Sequence, residues 1–141
     1  MTTIKTVAII TATALLFAKN GYRLSLCGRN EVNLKQVVEE CIGFGLSNEQ
    51  IVTTIGDVRE EKTLDNIVKQ TNDRFGQIDV LPSINCHFFA STSLYESGHA
   101  LGRCGTVEEV AQGILYLARD ATFTTGELLK IDGGKSLLVP R

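Results

Sequence analysis

From residue 7 to residue 81, short apolar runs alternate with stretches in which apolar residues recur every three or four positions, and this alternation limits the fold more than any other feature. Runs of four to six apolar or β-branched residues read as buried strands, and the longer periodic stretches as helices with one side on a sheet. Residues 7–11 are a strand passing into a helix, Ala-Leu-Leu-Phe-Ala-Lys, which Asn20 and Gly21 close. Residues 23–27 form the next strand, ending at Gly28. Asn30 caps a helix whose Leu34, Val37, Val38, Cys41 and Ile42 make a stripe, with Gly43 and Gly45 at its end. Residues 51–55 are a third strand. Residues 60–75 are a third helix, with Leu64, Ile67, Val68, Thr71 and Phe75 on one face, and residues 78–81 a fourth strand. The order β-α-β-α-β-α-β implies a parallel sheet with right-handed crossovers.

That regularity stops at Pro82. Residues 82–100 carry no sustained period, and order returns at Thr106-Val-Glu-Glu109, a capping box. Val107, Val110, Ala111, Ile114, Leu115 and Ala118 are expected on the buried face of the helix that follows. Residues 127–131 read as a last strand before Asp132-Gly133-Gly134. The expectation is one α/β domain with an incomplete, doubly wound parallel sheet of about five strands. Its parts are an N-terminal half (1–81), an irregular linker (82–100) and a C-terminal helix-strand segment (101–141).

Composition narrows the function classes. The 141 residues are 43% hydrophobic and 21% charged with a net charge of −2, which gives no reason to expect a nucleic acid or an anionic membrane as partner. No run approaches the roughly 18 apolar residues of a membrane span. Lys5 and the apolar residues 7–18 have the outline of a secretory signal, with Ala12-Thr13-Ala14 as a cleavage site, but a buried strand and helix make the same pattern. The four cysteines are widely spaced, and Cys27 and Cys41 fall on apolar positions, so reduced core thiols of a cytoplasmic protein are expected. Cys86, His87, His99 and Cys104 match no structural zinc spacing, and no metal is expected.

Lys5-Thr-Val-Ala-Ile-Ile-Thr11, Leu15-Leu-Phe-Ala-Lys-Asn-Gly21, Leu26-Cys-Gly-Arg-Asn30, Gly56-Asp-Val58 and Phe75-Gly-Gln-Ile-Asp-Val-Leu81 together resemble the cofactor half of the short-chain dehydrogenase/reductase family. Leu101-Gly-Arg-Cys-Gly-Thr-Val-Glu-Glu-Val110, Thr125-Gly-Glu and Ile131-Asp-Gly-Gly134 are similar to its C-terminal segment. The resemblance implies a Rossmann-like fold and hydride transfer between a nicotinamide cofactor and a small alcohol or carbonyl. It also implies Arg29 at the 2′-phosphate of NADP, with Asp57 and Val58 at the adenine. Read without it, Arg29 is a solvated side chain beside a helix cap, and Asp57 starts the next helix.

Other parts of the family pattern are missing. No glycine lies between Met1 and Gly21, so the turn after the first strand lacks the glycines that let a backbone approach a pyrophosphate; Thr13 is left to cap the helix. Tyr22, Tyr95 and Tyr116 are followed four positions later by Leu26, His99 and Asp120, so there is no Tyr-x-x-x-Lys. Tyr95 with His99 is the one substitute, and a histidine, mostly neutral at pH 7, lowers a phenol pKa less than a lysine cation does. Pro82-Ser-Ile-Asn85 stands in place of Asn-Asn-Ala-Gly. The expectation is a catalytically inactive, internally truncated member of the family. The alternative is an interaction module that forms a homo- or hetero-oligomer with a full-length relative through residues 106–131.

Overall fold

The computed structural model describes residues 7–9, 13–82 and 99–138, with the side chains of 7–9 and 138 excepted. The chain divides into two compact units, Met1–Pro82 and Ser83–Arg141.

The first unit is built on three parallel strands, β1 (Val7–Ile9), β2 (Arg23–Gly28) and β3 (Ile51–Ile55), in the order β1-β2-β3. Val7 pairs with Arg23, and Leu24 with Ile51, so β2 is central. Helix α1 (Ala14–Lys19) links β1 to β2, α2 (Glu31–Gly43) links β2 to β3, and α3 (Glu61–Phe75) follows β3. A 3-10 turn at Asn48–Gln50, which the periodicity does not signal, leads into β3 with Ser47 and Gln50 forming a capping box.

Side chains on β2 point alternately to opposite faces. Ser25 and Cys27 face α3: Ser25 hydrogen-bonds to Thr71, and Cys27 clusters with Ile67 and Ile78. Gly28, one step along, faces Leu34 of α2, and α2 packs against α1. The two earlier helices therefore cover one face and α3 the other. This is the doubly wound arrangement expected of the sequence, with three strands among the described residues against the five or so expected.

Two helices end in the same way. Gly21 (φ +77°) and Gly45 (φ +102°) take the left-handed conformation after α1 and α2. After α1 the Gly21 N–H donates to the Ala18 carbonyl and the Tyr22 N–H to that of Phe17. This is the Schellman arrangement, and its apolar contact is the Phe17–Tyr22 edge-on ring pair, with centroids 4.9 Å apart. Asn30 caps α2 by accepting from the Asn33 N–H.

Several expectations are corrected. On α2, Leu34 and Cys41 are buried while Ile42 is exposed. On α3 the buried line is Thr63, Ile67 and Thr71, with Leu64 and Val68 largely exposed. Each exposed residue lies about 100° round the helix from the buried line and turns away from β2 and β3. Thr13 occupies the N-cap of α1, but its backbone (φ −114°, ψ 14°) is not the extended form that aims a capping oxygen, and it makes no capping bond. Of the expected strand 78–81, Val80 alone makes a bridge. Cys27 and Cys41 are buried free thiols, and burial pushes the Cys41 thiol up to about 11.

In the second unit the capping box is in place. Thr106 accepts from the Glu109 N–H, and Glu109 from the Thr106 N–H, opening α4 (Val107–Arg119). Ala111 and Leu115 are buried; Val110, Ile114 and Ala118 are half-buried, and Val107 is exposed. Residues 127–131 are not a strand. Among the described residues of this unit no strand offers them a ladder, so they hold by side chains instead. Ile131 presses onto α4 at Gly113, where a Cβ would lie 2.1 Å from its Cδ1. The unit closes with α5 (Lys135–Leu138), and Asp132 accepts from the Gly134 and Ser136 N–H groups at its start.

Candidate functional site at the carboxyl ends of the second and third strands

In a parallel sheet flanked by helices, ligands sit beyond the carboxyl ends of the strands. Here the turns leaving β2 and β3 lie side by side, tied by a bond from the Gly56 N–H to the Gly28 carbonyl (3.1 Å) and by the Cys27 thiol on the Gly56 carbonyl. Gly56 is required by close approach: a Cβ there would come within 2.6 Å of the Thr63 hydroxyl. The turn can thus tuck under the start of α3 and bring Asp57 beside β2.

Asp57 is the centre of the site. Its Oδ1 accepts from the backbone N–H of Arg59 (3.0 Å), so residues 57–59 form an Asx-type turn. The Arg59 Nε–H lies 3.0 and 3.1 Å from the two carboxylate oxygens. Nη1 of Arg29, at the end of β2, stands 3.8 Å from Oδ2. The bonds from the Arg59 side chain and backbone hold the Asp57 carboxyl well below the usual carboxylate range, and the Arg29 charge adds to this. The Asp57 side chain is only 18% exposed, against 75% for Arg29 and 80% for Arg59. Two solvated guanidinium groups thus converge on one covered carboxylate. Val58 projects beside them, 49% exposed.

The structure therefore brings together Arg29, Asp57 and Val58. Asp57 does not cap α3, whose N-cap is Glu60. Arg59 was not singled out from the sequence; the signal was an acid followed two positions later by a base in a turn. Tyr95, Asn85, Cys86 and His87 lie outside the described residues. Among the described residues no group of three or more His, Cys, Asp or Glu converges as a metal site, and no helix is long and apolar enough to cross a membrane.

The family model for short chain dehydrogenases matches residues 6–87, more than half of the sequence. The chain belongs to the short chain dehydrogenase family. No curated protein matches it. Among solved structures, the glucose dehydrogenase of Caenorhabditis elegans in its apo form is 28% identical with a TM-score of 0.54, over 66% of this chain and 41% of that one. A short-chain dehydrogenase/reductase of unknown function from the same organism, solved with cofactor, is 32% identical with a TM-score of 0.52, over 54% of this chain and 31% of that one. ElxO with NADP bound is 18% identical, with a TM-score of 0.73 over 94% of this chain and 99% of that one, a likeness of fold. The chain thus spans about two-fifths or less of the two Caenorhabditis elegans relatives it matches.

Members of this family that take a dinucleotide need room at both ends of it. At the adenosine end the residues present fit, with a base, a carboxylate and an apolar side chain grouped at two strand ends. At the pyrophosphate end they do not. With no glycine before Gly21, every residue of the first turn carries a Cβ. The helix that should offer its N-terminus has six residues. At its start the Thr13 hydroxyl is buried and finds no hydrogen-bond partner among the described residues.

Proposed function

We propose that this chain derives from an NADP(H)-dependent oxidoreductase acting on a small alcohol or carbonyl, has lost turnover, and keeps recognition of the adenosine end of the cofactor. The observation that carries this is the meeting of Arg29 and Asp57 across adjoining strand ends, 3.8 Å apart, with Val58 exposed beside them. The Arg29 guanidinium can take a 2′-phosphate through two parallel bonds. The Asp57 carboxylate can accept from the adenine amine, and Val58 can lie against the ring. A solved relative that is 32% identical holds its cofactor, and ElxO, of like fold, holds NADP, which supports this choice of ligand. The loss of turnover follows from a first turn without glycine and from the lack of a Tyr-x-x-x-Lys to move the proton that accompanies hydride transfer.

Calorimetric titration tests the reading. Adenosine 2′-monophosphate is expected to bind more tightly than the 5′-isomer, and Arg29→Ala to remove that preference; equal affinity for the two isomers would refute it. Turnover is tested with NADPH and a panel of carbonyl compounds. Consumption is expected not to exceed that of a Tyr95→Phe control.

A second reading, an interaction module that associates with a full-length relative, is favoured by the exposure of Val107, Tyr116, Leu117, Phe123 and Leu128 in the second unit. Co-expression with a full-length member followed by native mass spectrometry is expected to show a mixed oligomer. Separate species only would exclude it.

A further inference from the structure

We propose that Arg59 is a second specificity-determining residue of this site. In this role a phosphomonoester on the ribose draws both Arg29 and Arg59 from Asp57 and so frees the carboxylate for the base. The inference rests on the reading that the turns after β2 and β3 receive an adenosine phosphate.

Three observations lead to it. First, the Asp57 carboxylate is nearly full. It accepts the Arg59 N–H, the Arg59 Nε–H and an Nη2–H, with Arg29 Nη1 3.8 Å from Oδ2. A carboxylate offers about four lone-pair positions; Arg59 takes three and the Arg29 guanidinium stands before the other, so an adenine amine meets a crowded acceptor until a guanidinium leaves. Second, both guanidinium groups approach the same oxygen, Oδ2, and are therefore close enough for one phosphate to bridge. Third, both are mostly solvated. An exposed guanidinium can turn from the carboxylate to another anion without breaking core packing, provided the new bonds replace those that Asp57 gives up. A phosphomonoester dianion carries more charge than a carboxylate and takes bidentate bonds from a guanidinium. The exchange is thus favourable for a 2′-phosphate, whereas a ligand without one leaves the carboxylate occupied. Arg59 then both rejects the unphosphorylated ribose and holds the phosphorylated one.

The test is calorimetric titration of the full chain and its Arg59→Ala, Arg59→Lys and Arg29→Ala variants with adenosine 2′- and 5′-monophosphate, after circular dichroism has checked folding. Arg59→Ala is expected to weaken the 2′-isomer by roughly tenfold and, by freeing the carboxylate, to strengthen the 5′-isomer by about twofold or more. Arg59→Lys, which keeps the charge but loses the fork, is expected to fall between, and it carries the test alone if the alanine variant does not fold. An unchanged 2′-isomer constant in the folded variants, or a gain for both isomers alike, overturns the role of Arg59 and leaves that of Arg29 standing. A wild-type chain that binds the two isomers equally, or neither, overturns both.

Discussion

Ser25 lies at the centre of a parallel sheet, where buried strands are ordinarily Val- and Ile-rich. Its hydroxyl is 2.7 Å from that of Thr71, and Thr71 is 2.6 Å from the Ile67 carbonyl. A carbonyl only accepts, so Thr71 donates to Ile67 and Ser25 donates to Thr71. Ser25→Ala removes that donor and is expected to cost about 1 kcal/mol in urea unfolding; no loss would mean that the hydroxyl pair does not fix α3 on the sheet. The polar contact gives α3 a defined seat where apolar packing alone would let it slide. Residues of this kind differ in how far the sequence reveals them. Arg29 and Asp57 were legible through the resemblance to the family, which places a base and an acid after the second and third strands. Arg59 was not, because an acid followed two positions later by a base is a common pattern that does not by itself say the guanidinium folds back onto the carboxylate.

Among the elements, α4 is set by its first turn. Glu109 accepts from the Thr106 N–H and receives Arg103 through two bonds, 2.6 and 2.8 Å. The Arg103 bond, with the Thr106 N–H second, holds its carboxyl down to about 2 from an ordinary 4.5. A carboxyl lowered on folding stabilises fully above its unfolded value and loses that contribution as pH falls through its folded value. The helix start is therefore expected to weaken between about pH 4.5 and pH 2. Followed by far-UV circular dichroism, Arg103→Ala should move that loss to higher pH; an identical titration would contradict the pairing. Thr106→Ala is expected to cost about 1 kcal/mol of unfolding free energy. Capping signals are local, so this helix and its boundaries were readable. Residues 127–131 were not. Their Leu-Leu-Lys-Ile pattern suits a strand, but a strand exists only with a partner, and among the described residues of this unit the neighbour is a helix with a glycine facing Ile131.

At the scale of the molecule, the chain spans about two-fifths or less of the two Caenorhabditis elegans relatives, and the described sheet has three strands. The alternation of strand and helix made the doubly wound half legible from sequence, since that order with short links allows few topologies. The second unit gave no comparable periodicity outside α4. The first turn has no glycine and leads into a six-residue helix, and the proposed loss of turnover is argued from it. The fold is that of a dinucleotide-binding family, and the sequence between β1 and α1 carries no glycine. The most direct test is to titrate the full chain with adenosine 2′-monophosphate and with NADPH under one set of conditions. Dissociation constants within about threefold of each other are expected, because the pyrophosphate and nicotinamide add no net contact. NADPH binding tighter by tenfold or more would contradict this, and would show that the turn after β1 still holds a pyrophosphate.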